Sequence, residues 1–506
     1  MADLPQFPQS YWSASTASKN FPTLTDHCST EVCIVGGGIT GITTAYLLAK
    51  AGMEVTVIDA NEIFSGTTGH TTAKVTAQHG LIYDEFIGEF GLNKAKIYYD
   101  AQMNALNFIR NTVRDLQIDC ALVNEDAHIF TNADSAIEQL QKEFQAYQAL
   151  GIDGDYIDQP SWSFPAKAAI SMKNQASFHP LQYLTKVTDA FVNLGGKIYE
   201  FTAAVEVHKE EKFKIKTKSE FIISSEHLLV CSHFPFVDRG GFYFARMHPE
   251  RSYALAIKTN LPYPGGLYLN VEHPSRSIRQ INYQGESLLL IVGEAHTTGR
   301  GESTIVHYEN LLDYANQYFA PTEIKYRWAT QDLETIDKLP FVGPLSLVSG
   351  EILVATGYRK WGMTNGTAAA LLLHDLVLGK NNAYGDLVTP SRFNTQASLK
   401  NIFSENVQVA KELISGKLEM VLRDAGDLQP DEGDVVKYNG KRAGAYRDQD
   451  GKLHIVDTTC KHFGCEVMWN SGDRTWDCPC HGSRYNIDGE VMEGPTKKPL
   501  KKLFDQ

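Results

Sequence analysis

The first clear pattern along the chain is a short apolar run, VCIV at 32–35, that ends at GGG. ITGITTAYLLAKAG follows, with apolar residues at helical spacing and a stop at Gly52, and then EVTVIDA alternates like a strand and ends in an acid. This predicts strand, turn, helix and strand, a βαβ unit of about 30 residues. Residues 61–80, rich in Gly and Thr, read as loop. Apolar residues three and four apart predict helices within 83–118 and 134–150. FHPLQYLTKVTDAFVNLGGKIYE (178–200) predicts a helix, a Gly-Gly stop and a strand. From 203 to 335 strand-like runs dominate: FKIKT, HLLVCS, SYALAIK and SLLLIVG. A late strand, EILVATG (351–357), meets a Gly-rich turn and the helix TAAALLLHDLVLG, and 404–417 reads as a connecting helix. Beyond Leu418, short strands alternate with the turn signals NGK, RDQDGK and NIDG, which predicts an all-β module of about 85 residues. No period suggests internal repeats.

A chain of 506 residues exceeds one core, so about two to four domains are expected. The formal charge of −13 repels nucleic acid and anionic membrane. The one basic run, KKPLKK at 497–502, reads as a solvated tail. The N-terminal segment lacks a basic region followed by an apolar one, and no apolar run approaches about 18 residues. A soluble, cytoplasmic protein without a membrane span is expected. Four cysteines, Cys28, Cys33, Cys120 and Cys231, are scattered and read as small hydrophobes, while Cys460, Cys465, Cys478 and Cys480 cluster.

Gly36, Gly38 and Gly41 form G-x-G-x-x-G between the first predicted strand and helix. The first glycine permits the tight turn, the second lets a pyrophosphate approach the backbone, and the third lets the helix pack on the strand. Asp59 closes the next strand, placed to accept hydrogen bonds from ribose hydroxyls. The motif alone does not separate FAD from NAD. Three further stretches add to it: SGTTGHTTAK (65–74), D337-KLPFVGP, and TGYRKWGMTNGTAAA (356–370). Together with the glycines, these make residues 30–385 resemble the FAD-dependent D-amino-acid oxidase and glycine oxidase superfamily.

That resemblance implies an α/β FAD-binding Rossmann-like domain over 30–390, interleaved with an α+β substrate domain within roughly 80–180 and 210–330. It implies cofactor contacts at Thr67, Thr68, His70, Val205, Gly357, Gly362, Met363 and Thr364. His70 stands where some relatives attach FAD covalently, and is expected here to be a non-covalent neighbour. Lys360 falls where glycine oxidases place an arginine that grips the substrate carboxylate. A lysine cannot make that planar fork, so Lys360 is expected to act at the flavin face without fixing an amino-acid substrate.

Cys460-x-His462 and Cys478-x-x-His481 supply two thiolates and two imidazoles. Such a set suits either a Rieske [2Fe–2S] cluster or a zinc ion. CKHFGC and CPCHGS closely resemble the Rieske proteins of respiratory cytochrome complexes, and the resemblance covers 420–506. It implies a cluster on Cys460, His462, Cys478 and His481, a disulfide between Cys465 and Cys480, hydroxyls of Ser483 and Tyr485 that tune the cluster, and a proline loop in GPTKKPL (494–500). The expected layout is therefore the FAD-dependent part, a linker helix at 391–417 and a Rieske domain at 418–506.

A flavin takes two electrons together and a [2Fe–2S] cluster carries one. The expectation is an FAD-dependent oxidoreductase. It would oxidise an amine or amino-acid-like small molecule and pass electrons singly through the cluster to an external protein or quinone-like acceptor. An NAD(P)H-driven reductase would need a second G-x-G-x-x-G after a strand, and a Rieske oxygenase commonly needs a histidine pair spaced H-x-x-x-x-H. The chain has neither. A redox sensor or electron-transfer subunit without small-molecule turnover is the other reading.

Overall fold

The computed structural model describes residues 3–17, 19–301, 303–392 and 423–503. Most of the expected linker helix, including 404–417, lies outside the described residues.

The predicted βαβ unit forms as read. Strand Cys28–Val35 pairs in parallel with Val55–Ile58 on one side and Ile222–Val230 on the other. Residues 32–35, 55–58 and 228–230 are buried throughout, which is why VCIV and LLV read as unbroken apolar runs. Helix Ile39–Lys50 crosses between the first two and is capped at Gly38. The eight-stranded sheet runs Phe341–Pro344, Ile352–Thr356, Ile222–Val230, Cys28–Val35, Val55–Ile58 and Lys197–Tyr199, with Ala204–Lys209 and Phe213–Thr217 joined antiparallel. Helix Gly362–Val377 packs on Ile39–Lys50. A Cβ at Gly366 would stand 2.9 Å from Thr40 Oγ1, so this crossing leaves no room for a side chain.

A nine-stranded sheet forms the second layer. Its order begins Pro321–Thr335, Met247–Thr259, Glu286–Thr297 and Arg276–Tyr283 and ends at Ala168–Ser177 and Lys74–Val75. Two expectations are corrected here. Residues 213–230 belong to the dinucleotide sheet, not to the substrate domain, because the apolar end of Ile222–Val230 is a central parallel strand. Within the region where strand-like runs dominate, Ile305–Tyr318 is a helix, which that reading did not include, and it buries Tyr308, Leu311 and Ala315 on one side.

Two small antiparallel sheets make the C-terminal unit: Glu432–Tyr438, Lys441–Arg447 and Leu453–Val456; and Met468–Asn470, Thr475–Asp477, Arg484–Tyr485 and Val491–Glu493. The KKPLKK run is not a free tail. Leu500 is buried, its N–H bonds to Gly489 O, and Lys502 bridges Val456. No described helix is long and apolar enough to cross a membrane.

The C-terminal unit sits on the strand pair Met247–Thr259 and Pro321–Thr335. Gln331 Nε2 donates to Gly482 O (2.9 Å), Thr304 Oγ1 to Asn470 Oδ1 (2.6 Å) and Arg327 Nη1 to Gly472 O (2.7 Å). Arg251 forms a buried ion pair with Asp473.

Candidate functional site

A cavity of about 620 Å³ opens at the C-terminal ends of the parallel strands, where open α/β sheets place their ligands. Gly36, Gly38, Asp59, Thr67, Thr68, Val205, Lys360, Gly362 and Met363 line it. Gly36 sits at φ +111°, and a Cβ there would stand 2.4 Å from Cys231 O. Only the glycine backbone fits that turn. A Cβ on Gly41 would stand 1.9 Å from Gly36 O, which makes this glycine the packing contact between helix and strand. At Gly38 an added Cβ would meet only Thr68 Oγ1, at 3.1 Å. The space beside Gly38 is otherwise clear, which fits the close approach that an FAD pyrophosphate would need.

The carboxylate of Asp59 accepts from Gly37 N (2.7 Å) and Asn61 N (2.9 Å), and burial pushes its pKa up to about 6. Thr68 Oγ1 accepts the first helical N–H, Ile39 N (3.2 Å), and Thr67 Oγ1 donates to Gln331 O (3.2 Å).

Three expected cofactor neighbours do not line the cavity. Gly357 instead packs against Thr335 and Met247. Thr364 donates to Thr76 O (2.9 Å) beneath the wall. His70 closes the short 3₁₀ turn Thr67–His70, which turns its ring off the cavity. Its Nδ1 stands 2.9 Å from Gly66 O, and burial lowers its pKa, against the pull of Glu493 and Asp473 of the C-terminal unit. Acid precipitation is therefore expected to release all the flavin in free form. Flavin held on the precipitated chain, and freed by His70→Ala, would contradict this.

The far wall of the cavity comes from the antiparallel pair. Glu250 stands opposite Asp332 and Ser252 opposite Thr330. Ser252, Thr330 and Asp332 line the cavity. Lys360 forms an ion pair with Glu250. Burial pushes the Asp332 pKa up to about 7, against the lowering effect of Lys360. The alternate residues of the same strands face the other way. Arg251 and Gln331 hold the C-terminal unit, and Pro249 is so close to Gly482 that a Cβ there would stand 2.4 Å from Pro249 Cβ. One strand pair thus separates the cavity from the loops that carry the cysteines and histidines. No sequence signal marked Asp332 or Glu250, because their pairing depends on register between distant strands.

In the C-terminal unit the loops 460–465 and 478–483 carry the four expected ligands, one cysteine and one histidine on each. Cys460 and Cys478 are unbridged and buried, and the hydrogen bond from Cys478 holds the Cys460 thiol down to about 6. The rings of His462 and His481 lie 5.0 Å apart, and burial lowers both pKa values to about 4, which keeps the imidazoles neutral. His462 Nδ1 is buried and without a hydrogen-bond partner among the described residues. A buried, unpartnered imidazole nitrogen on the loop of Cys460, whose thiol is hydrogen-bonded to Cys478, fits a metal centre. Cys465 and Cys480 stand 2.00 Å apart, sulfur to sulfur, and so offer no free thiolates of their own. Tyr485 Oη donates to Cys460 Sγ (3.2 Å), and Ser483 Oγ accepts from Thr496 N (3.1 Å).

The family model for FAD-dependent oxidoreductases (DAO) matches residues 31–376, and that for the Rieske [2Fe-2S] domain matches 419–503. A Rieske 2Fe-2S iron-sulfur protein of Bacillus subtilis (strain 168), YhfW, is 50% identical over 496 residues, which is 98% of this chain and 97% of that protein. The gamma-glutamylputrescine oxidoreductase of Escherichia coli (strain K12) is 23% identical over 397 residues, covering 73% of this chain and 89% of its own. The crystal structure of glycine oxidase from Geobacillus kaustophilus superposes with a TM-score of 0.62 at 18% identity, over 72% of this chain and 100% of that one.

Proposed function

Because the chain belongs to the DAO family of FAD-dependent oxidoreductases and carries a C-terminal Rieske [2Fe-2S] domain, we propose that it oxidises an amine-bearing small molecule and delivers the electrons singly to an external acceptor. Bound FAD supplies a two-electron acceptor and the Rieske cluster a one-electron carrier, which together convert one oxidation into two single-electron deliveries. The observation that carries this reading is the shared wall. The dinucleotide cavity and the Cys/His loops occupy opposite faces of one strand pair, whose side-chain layers span on the order of 10 Å.

Residue roles follow. Gly36 and Gly38 would admit the pyrophosphate, Asp59 the ribose hydroxyls, and Thr67 and Thr68 the turn beneath it. Cys460, Cys478, His462 and His481 would hold the cluster. Lys360 would stand at the flavin face and hold Glu250 on the wall. An amine, rather than a carboxylate, is favoured by charge. Glu250 already neutralises Lys360, while Asp332 presents a carboxyl to the cavity. The Escherichia coli relative is named for gamma-glutamylputrescine, a molecule with amino groups as well as a carboxylate.

The test is anaerobic mixing of purified protein with amines and amino acids, following flavin bleaching and cluster reduction, then re-oxidation by a one-electron acceptor. Bleaching by no candidate, with turnover absent, would favour a sensor or carrier subunit. Metal analysis is expected to give about two iron and two acid-labile sulfide per chain; stoichiometric zinc without sulfide would exclude the cluster.

Asp332 also gives a pH dependence. Below about pH 7 its carboxyl is protonated and neutral, and above it the carboxylate attracts a substrate ammonium. kcat/KM for a cationic amine is expected to rise as pH rises through about 7. Asp332→Asn should flatten that limb. It should also lower the high-pH value by about tenfold or more, the worth of one hydrogen bond to a charged group. An unchanged profile would remove Asp332 from substrate binding.

A further inference from the structure

The segment Glu490–Lys497 belongs to the Rieske domain, yet it lines the same cavity as Gly36, Asp59 and Val205. Lys497 Nζ donates to Val205 O (3.1 Å), and Lys218 of the dinucleotide unit stands 3.7 Å from Glu490. A Cβ on Gly494 would lie 3.6 Å from Phe234, another residue of the cavity wall. The same segment reaches the cysteine loops. Thr496 N–H donates to Ser483 Oγ (3.1 Å), and Thr496 is buried. Glu493 accepts from Arg484 Nη1 (2.8 Å) through one oxygen and from Gln331 Nε2 (2.9 Å) through the other.

We propose that Glu490–Lys497 is a structural part of the FAD site, and that it couples FAD binding to the state of the Rieske centre. The proposal takes from the reading above only that the cavity holds FAD and that the two loops hold the cluster. FAD in the cavity packs against one side of the segment. The other side fixes the hydroxyl of Ser483, next to the ligand loop, so whatever orders the segment acts on both sites. Coupling of this kind is reciprocal: the factor by which an intact centre tightens FAD binding is the factor by which FAD stabilises that centre.

The test uses the full chain stripped of FAD and re-titrated with it, read by quenching of flavin fluorescence. Lys497→Met, at an exposed loop position, removes the contact to Val205. It is expected to weaken FAD binding about fivefold or more, within the usual range of coupling between sites. The cluster-free Cys460→Ser variant is expected to weaken it likewise. In the reverse direction, adding FAD to the FAD-free, cluster-loaded protein is expected to shift the paramagnetic spectrum or the potential of the reduced centre, and Lys497→Met should reduce that shift. FAD affinity equal in all three proteins, with an unshifted centre, would overturn the coupling while leaving both cofactors in place. Wild-type protein that binds no FAD, or assembles no cluster, would instead overturn the functional reading and this proposal with it.

Discussion

Gly38→Val is expected to give a folded protein that purifies without flavin. The backbone at Gly38 has φ −80°, which any residue adopts, and a Cβ there meets only the hydroxyl of Thr68. The added isopropyl group therefore projects into the space the dinucleotide needs at the start of helix Ile39–Lys50. Overpacking of a tight site costs on the order of 1–3 kcal/mol, and loss of close approach to the helix N-terminus adds to it. Together they lower affinity by about a hundredfold or more. Gly41→Ala serves as the contrast. Its Cβ would stand 1.9 Å from Gly36 O, so the helix cannot dock and the chain should be recovered insoluble or unfolded. Flavin absorbance, circular dichroism and iron content of the two variants separate the outcomes. Gly38→Val protein with a full complement of flavin would place the pyrophosphate elsewhere.

That contrast between neighbouring glycines also shows what the sequence could tell. The G-x-G-x-x-G spacing and the acid at Asp59 are local, and the structure places them as read. The two Cys/His loops are local in the same sense: each puts its cysteine and histidine within a few residues of each other. Local pattern is legible because strand, turn and helix periods are written into adjacent residues. Gly357, Thr364 and His70 lie within such motifs but on the wrong side of them: spacing gives proximity along the chain, while the direction of a side chain depends on the turn that carries it. The resemblance implied a proline loop at 494–500 and left its face toward the cavity unread.

Non-local features were the least legible. Residues 213–230 read as strands correctly, but which sheet they join is decided by pairing with Cys28–Val35, far earlier in the chain. The helix Ile305–Tyr318 was hidden among strand-like runs because its buried residues are few and partly aromatic. Arg251 and Asp473 carried no signal at all. A buried charge cannot be told from an exposed one by pattern, and these two meet only because the C-terminal unit settles on the strand pair.

Asp473→Ala is expected to undock the Rieske domain. Arg251 is 1% exposed and Asp473 8%, so the pair is shielded from water on both sides. Arg484, also buried, stands 3.5 Å from Asp473 and keeps Asp477 (3.1 Å) and Glu493 (2.8 Å) as further partners. Tyr308 Oη donates to the other Asp473 oxygen (3.2 Å). Removing Asp473 therefore leaves Arg251 as a buried cation without its ion-pair partner, while Arg484 remains neutralised. Breaking a buried pair from one side costs about 3–5 kcal/mol, because the remaining charge is stranded out of water. That cost falls on the docked state, since Arg251 belongs to one unit and Asp473 to the other. Amide exchange at the facing segments, Met247–Thr259, Pro321–Thr335 and Met468–Asp477, should quicken by about a hundredfold or more while exchange in strand Cys28–Val35 stays unchanged. Arg251→Met combined with Asp473→Leu should recover much of the protection, because replacing both charges with apolar groups removes the stranded cation. Unchanged exchange in Asp473→Ala would show that the ion pair does not hold the domains together. If it does hold them, the variant, supplied with excess FAD to offset the loss of the segment 490–497 from the cavity, should still bleach its flavin with substrate but reduce its cluster more slowly, since the wall between the two sites no longer has the Rieske domain seated on it.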